Sequence, residues 1–398
     1  MNLTFPSSAG SVVLDAPNQS DRRISTSEPD PVTLRLRGVH RAIAELRRGT
    51  PVLLTGDEPL LLLAAETAGA PGLGELAALA EGPPVLLMAP VRAAALLHRP
   101  VPQNVAAVAL SLSDRLLAPE TLLSLADPTV EQMLPDQPVS TSLPQLALSA
   151  LALVKLCRLL PAVLAAPAGQ AALDAADSLQ LLSVPAMDVL SYPNAMALGL
   201  RPVAEAEVPL RSSEHTRIVA FRAPDAGVEH LAILVGRPED APREGKGAPL
   251  VRIHSECFTG DLLESLRCDC GEQLRGAIAR MAEDGAGVLL YLAQEGRGIG
   301  LVNKLRAYTL QDRGLDTLDA NRALGWGADE RNFMVAATML DSLGIKRIRL
   351  LTNNPDKLAA LAACGVQIEG REAHSFAPNG VNDQYLATKA ERFGHMLD

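Results

Sequence analysis

Three of the five cysteines lie in one stretch, VRIHSECFTGDLLESLRCDCGEQL, at positions 257, 268 and 270. One residue separates Cys268 from Cys270, so the two can share a turn and point at a common atom. Cys257 must return across ten residues to join them. Three converging thiolates suit a soft tetrahedral cation, with zinc the default. A structural zinc takes a fourth protein ligand, and His254, three residues before Cys257, is the candidate. A catalytic zinc leaves the fourth position to water. Both readings are open at this point. Plain core thiols fit less well, because Cys268-Asp269-Cys270-Gly271 is too polar for a core strand.

The chain has 398 residues, enough for two or three domains. Hydrophobic residues make up 48% and aromatics 3%, so cores are built from Leu, Ala and Val. A formal charge of −10 argues against a general nucleic-acid binder. It leaves room for a phosphorylated small molecule, which needs only a local Arg and Lys cluster. Residues 1–30 are rich in Ser, Pro and Asp and read as disordered, without the basic-then-apolar order of a signal peptide. The apolar stretch 143–164 is broken by Pro144, Lys155, Arg158 and Pro161, so no membrane span is expected. Cys157 and Cys364 sit in apolar contexts and read as core thiols. An odd cysteine count with a C-x-C cluster suits a reducing cytoplasm.

The pattern predicts a helix over residues 39–48, a strand over 51–54, a turn at 56–59 and a strand or helix over 60–68. An alternating strand–helix rhythm continues through residues 72–80, 84–88, 91–97 and 105–110. Residues 143–164 read as one helical stretch broken at Pro161, residues 175–190 as helix then strand, and 192–201 as a connection. Up to about residue 200, reactive side chains such as His40, His98 and Asp114 are scattered. From Val203 the texture changes. Residues 207–210, 216–222, 229–235 and 251–254 alternate like antiparallel strands. Helices are predicted over 272–283, 301–312, 333–343, 356–363 and 382–397, with strands at 288–292, 347–351 and 366–369. That alternation implies parallel pairing with helices on the faces. The expected fold is mixed α/β in two domains, residues 31–200 and 203–398, the second a mixed sheet flanked by helices and carrying the metal site.

Three further segments carry chemistry. Gln294-Glu295-Gly296-Arg297-Gly298-Ile299-Gly300 follows a strand and opens a helix, where backbone N–H groups can hold an anion. It is not a dinucleotide fingerprint, and no phosphate-loop motif occurs. Ala328-Asp329-Glu330-Arg331 sets a carboxylate and a guanidinium two apart before a helix, which fits either a substrate clamp or ordinary helix-start charge. Thr352-Asn353-Asn354-Pro355-Asp356-Lys357 is a strand end, a polar turn and a helix start, where ligands bind in parallel sheets. Tyr308 is a lone polar aromatic in a helix.

RIHSEC, SLRCDCG, QEGRGIGL, NKLRAY, ADERNF and LLTNNPDK, in this order and spacing, resemble GTP cyclohydrolase II from about Val203 to the C-terminus. The resemblance implies opening of the imidazole ring of GTP with release of formate and pyrophosphate, at the start of riboflavin synthesis. It implies zinc on Cys257, Cys268 and Cys270 with water fourth, Mg²⁺ with the triphosphate, and a homodimer. It assigns Asp329 as proton acceptor, Arg331 as nucleophile on the α-phosphorus and Tyr308 as a ring-opening participant. The implied GTP contacts are Arg252, Ile253, His254, Ser255, Glu256 and Gln273. To these it adds Glu295, Gly296, Arg297, Thr317, Thr352 and Lys357. One departure is Ala293, where an arginine often precedes QEGR.

RAIAELRRGTPVLLTGDEPLLLLAAE resembles the opening of dihydroxybutanone phosphate synthase. That enzyme needs an acidic, Arg-containing cluster after its strand to bind Mg²⁺. Here only Asp57 and Glu58 remain, and Leu60 to Leu63 follow. The N-terminal half is therefore expected to be a degenerate relative without synthase activity, serving as a scaffold or dimer element.

Overall fold

A computed structural model of the chain describes residues 31–102, 105–224, 227–241, 247–377, 379–394 and 396. The expected disorder of residues 1–30 lies outside the described residues. Two seven-stranded sheets divide the molecule.

The first contains β1 (Val52–Thr55), β2 (Leu60–Ala64), β3 (Val85–Met88), β4 (Val108–Ser111), β5 (Val139–Thr141), β6 (Ala162–Pro167) and β7 (Ser183–Pro185), in the order β5-β4-β3-β6-β2-β1-β7. Its helices are α1 (Pro31–Arg47), α2 (Ala70–Leu79), α3 (Pro90–Leu97), α4 (Pro119–Ala126), α5 (Ala147–Leu156), α6 (Gln170–Asp177) and α7 (Ala186–Leu198). Proline in the first turn of α2, α3 and α4 supplies a fixed φ where no N–H partner exists. The unbroken Leu run of β2 follows from burial on both faces. Leu60 and Leu62 enter one apolar core, and Leu61 and Leu63 enter the other.

The second sheet contains β8 (Arg201–Glu207), β9 (Thr216–Arg222), β10 (Glu229–Gly236), β11 (Leu250–Ser255), β12 (Ala286–Leu292), β13 (Arg347–Leu351) and β14 (Gln367–Glu372), in the order β14-β13-β11-β12-β10-β9-β8. Around it run α8 (Cys270–Asp284), α9 (Leu301–Asp312), α10 (Thr317–Ala323), α11 (Met334–Ser342), α12 (Pro355–Ala363) and α13 (Asp383–Phe393). Gly285 ends α8 at φ +85°, the left-handed turn that glycine adopts without strain. The Asn354 side chain caps α12 by accepting from the Asp356 amide.

The mixed α/β reading stands, with corrections. The strand–helix rhythm of the first half suggests parallel pairing, yet β1–β6 pair antiparallel and only β1 with β7 runs parallel. Residues 143–164 are not one broken helix. Only α5 is helical, and Ala162 onward forms β6 because the sheet needs a central strand between β2 and β3. Residues 192–198 are helical rather than a connection. Val189, Tyr192, Met196 and Ala197 are buried, and that packing outweighs the N–H missing at Pro193. The first strand of the second sheet lies at β8, not at 207–210. β11 is parallel to both β12 and β13 rather than antiparallel. Helices α4 and α10 are short and lie outside the segments that the sequence pattern marks as helical. Cys157 is buried as expected, whereas Cys364 is only half-buried.

Candidate active site

Strands β11, β12 and β13 run in one direction, and a cleft of about 1180 Å³, mouth included, opens at their carboxyl ends. Cys257 lies two residues beyond β11, Cys268 in the turn before α8, and Cys270 is its first residue. Their sulfurs lie within 4.8 Å of one another. Cys257 Sγ and Cys268 Sγ are 3.8 Å apart. Two sulfurs at the ordinary zinc distance on a tetrahedron stand about 3.8 Å apart, so the donor set fits that metal. Gly260 makes room for it. A Cβ there would stand 2.7 Å from Cys268 Sγ and 3.0 Å from Cys257 Sγ.

Among the described residues, no histidine or carboxylate completes the trio. His254, the alternative fourth ligand, faces elsewhere. Its Nε2 lies 3.1 Å from both Asp261 oxygens, and its ring stacks on Tyr291. Asp261 also accepts from the Cys257 amide at 2.9 Å and the Tyr291 hydroxyl at 3.0 Å. Burial lowers the pKa of His254 despite that carboxylate. The structural-zinc reading thus loses its candidate ligand.

The three thiols share charge unequally. Hydrogen bonding from Cys268 and Cys270, with Lys304 alongside, holds Cys257 far below the usual thiol range. The same bond to Cys257 pushes Cys268 up to about 11, and Cys270 is raised as well. Metal binding therefore has to displace the remaining thiol protons. Lys304 donates to Cys257 Sγ at 3.0 Å, Thr259 Oγ1 at 2.9 Å and Glu295 Oε1 at 2.8 Å. Burial opposes its charge, but the Cys257 thiolate and Glu295 outweigh that and keep it protonated.

Glu295 is buried and also accepts from the Phe258 amide at 2.7 Å, tying the glycine loop to the thiol segment. Gly296 and Arg297 both take φ +63°, and Gly298 and Gly300 are left-handed too. Arg297 is the one non-glycine among these left-handed positions. At Gly298 a Cβ would meet the Glu330 carbonyl oxygen at 2.8 Å, so loop and ADER segment touch through backbone. Arg331 Nε donates to Asp329 at 2.8 Å, its Nη2 also binds that carboxylate, and Nη1 reaches Ser255 Oγ at 3.3 Å. Burial pushes the Asp329 carboxyl up, but Arg331 overrides it and holds it below the ordinary value.

Across the cleft, fully buried Arg252 donates to the Leu351 carbonyl at 3.2 Å and to Gln273 Oε1, while its Nε has no partner among the described residues. Burial lowers its pKa to about 10. Lys357 donates to the Ile253 carbonyl at 2.8 Å, and Thr317 Oγ1 accepts from Gln311 at 3.0 Å. Burial raises the pKa of Tyr308, whose ring lies between Arg267 and Lys304. Thr352, Glu256 and Gly296 complete the wall, and burial raises the Glu256 pKa. Every residue expected at the site lines this cleft except Asp329, which stands behind Arg331. Sequence reasoning missed Lys304, Asp261, Tyr291, Asn353, Asn354 and His374. Lys304 stood inside NKLRAY and the asparagines inside TNNPDK, so the signal was present without a role.

A convergent thiol trio that could hold a metal, beside a cationic cleft at the ends of parallel strands, fits an enzyme of the α/β class. The profile of the GTP cyclohydrolase II family matches residues 201–373. A GTP cyclohydrolase-2 of Azospirillum brasilense is 49% identical over 376 residues, covering 91% of this chain and 94% of its own. One of Pasteurella multocida is 48% identical over 198 residues, covering 50% of this chain and 88% of its own. The chain belongs to the GTP cyclohydrolase II family. Among solved structures, a two-domain 3,4-dihydroxy-2-butanone 4-phosphate synthase from A. baumannii overlaps 85% of this chain and 99% of its own, at 18% identity and a TM-score of 0.32.

Proposed function

We propose that the chain hydrolyses GTP at the first step of riboflavin biosynthesis. The imidazole ring opens, formate and pyrophosphate leave, and 2,5-diamino-6-ribosylamino-pyrimidinone 5'-phosphate is formed. One observation carries this reading: the thiol trio, at zinc spacing and without a fourth protein ligand among the described residues, shares one cleft with Arg331, which Asp329 holds from behind. Cys257, Cys268 and Cys270 would hold the zinc, which when bound supplies a water ionised near neutral pH. Asp329, kept ionised by Arg331, can take a proton from the Arg331 guanidinium as that group approaches the α-phosphorus. Arg252, Arg297 and Lys357 line the same cleft and suit a triphosphate, with Mg²⁺ offsetting the remaining charge. Tyr308 has a raised pKa and stays protonated, fit to donate to an opening ring. The N-terminal half, residues 31–200, is proposed to lack synthase activity. After β1 the acids stop at Asp57 and Glu58, and the apolar β2 follows at once. A homodimer is part of the same proposal.

The test incubates the zinc-loaded chain with GTP and Mg²⁺ and follows formate, pyrophosphate and the pyrimidinone. All three are expected, and Cys268→Ser is expected to lose zinc and turnover together. Formate with an intact triphosphate would replace this reading with a one-step hydrolase. Bound zinc and nucleotide without turnover would replace it with a silent binding protein. Butanone phosphate formed from ribulose 5-phosphate would overturn the proposal for the first half.

A further inference from the structure

The glycine loop, the start of α9 and the turn carrying Asp329 and Arg331 are fastened to the first half of the molecule as well as to their own sheet. Arg158, in the turn after α5, takes φ +56°, a left-handed backbone unusual for arginine. Its Nη2 donates to the Ala293 carbonyl at 2.9 Å, immediately before the glycine loop. The Ala293 amide is held from the opposite side by His230 Nδ1 at 3.0 Å. Both polar groups of that residue are therefore pinned by side chains. The Arg158 guanidinium also sits in the field of Glu256 and Glu295. Its stem covers Gly300, where a Cβ would come within 3.1 Å of Arg158 Cδ. The Arg158 carbonyl accepts from fully buried Asn303, whose same nitrogen donates to the Ile299 carbonyl at 3.0 Å.

One turn earlier, Lys155 reaches Glu330 Oε1 at 2.5 Å. That oxygen also accepts from the Gly327 amide at 2.7 Å, so the contact shapes the turn that carries Asp329 and Arg331. Beneath the loop, Ile299, Ala307, Leu310 and Trp326 share a core with Leu53, Leu61 and Leu63 of the first sheet.

We propose that the first half is a positioning element for the nucleotide site, and that Arg158 is the positioning residue that holds the 293–300 loop in its left-handed form. This rests on the cyclohydrolase reading for its substrate and on the contacts alone for its geometry. The loop amides of Gly298 and Gly300 are hydrogen-bonded within the loop at 3.1 and 3.0 Å, so amide exchange there reports how firmly it is held.

The experiment compares the full zinc-loaded chain with Arg158→Ala and Arg158→Lys. In Arg158→Ala, exchange over residues 293–300 is expected to rise about tenfold while β9 and β10 keep their protection. The KM for GTP is expected to rise about tenfold with zinc content unchanged and kcat much less affected, because the loop holds substrate. Arg158→Lys, which keeps the cation, is expected to bring KM back toward the wild-type value. Unchanged loop exchange, or a raised exchange with unchanged KM, overturns the proposal. Should Arg158→Ala fail to fold, Arg158→Gln keeps the stem over Gly300 and carries the same measurement. A wild-type chain that leaves GTP intact sinks the cyclohydrolase reading alone, and the exchange comparison then still decides the positioning role.

Discussion

Lys304 serves three acceptors at once, and one of them, Glu295, is a buried carboxylate. Removing only the lysine leaves that charge with amide donors from Phe258 and Gly296 but without its direct ion-pair partner. Breaking a buried pair by deleting one partner costs about 3 kcal/mol, whereas replacing both groups costs far less. Lys304→Met should therefore lower unfolding stability by about 3 kcal/mol, and Lys304→Met with Glu295→Gln should regain much of it. Denaturant titrations of Lys304→Met, Glu295→Gln and the double variant measure this. A double variant whose loss equals the sum of the two single losses would show that the pair is not coupled. The site's residue types were legible because thiols, Arg, Asp and Asn stand in compact strings such as SLRCDCG and ADERNF. Lys304 was not assigned, because its role exists only once α9 turns back over the segment after β11. Arg158 lies in the turn that ends an Ala/Leu-rich stretch, more than 130 residues upstream of Ala293, and nothing local marks it as reaching that peptide.

At the scale of elements, the junction of β10 and β12 carries a pH dependence. His230 in β10 is buried, and burial, with Arg158 nearby, lowers its pKa to about 4. Its neutral ring accepts from the Ala293 amide just beyond β12. The unfolded chain protonates this histidine near pH 6.5, while the folded chain resists until about pH 4. Between those values the unfolded state binds more protons, so stability falls as pH drops through the window. The contribution is on the order of 3 kcal/mol. His230→Asn, whose side-chain oxygen can accept the same amide, should flatten the slope of stability between pH 6.5 and 4. An unchanged slope in that variant would remove His230 as its cause. Elements with strong periodicity and glycine stops, such as α8 and β13, read correctly from sequence. Pairing direction did not. Arg252 and His254 in β11 alternate with Val251 and Ile253 as in an antiparallel strand, yet β11 pairs parallel on both sides and its carboxyl end lines the cleft. In the first half, helices between strands suggested crossovers, but the β2–β6–β3 arrangement interleaves distant strands antiparallel.

At the scale of the molecule, the two halves share their cores. Leu54, Leu62, Tyr192 and Met196 pack in one cluster with Val288, Leu290, Val335 and Met339 of the second sheet and its helix. On the other face, Leu61 and Leu63 share a cluster with residues of α9 and α10. Half-buried ion pairs cross the same boundary, Arg306 binding Glu66 at 2.9 Å and Asp127 at 2.7 Å. Two domains joined by a polar linker would melt separately, each at its own temperature. Here the loss of either half would strip apolar cover from the other, at about 25 cal/mol per Å² exposed. The full chain should therefore melt in a single calorimetric transition, with van't Hoff and calorimetric enthalpies equal. Residues 201–398 alone should melt at lower temperature and associate through the bared faces of α9 and α11. Two resolved endotherms, or an isolated second half as stable as the whole, would mean that the shared cores do not couple the halves, and would confine any support for the nucleotide loop to its immediate contacts.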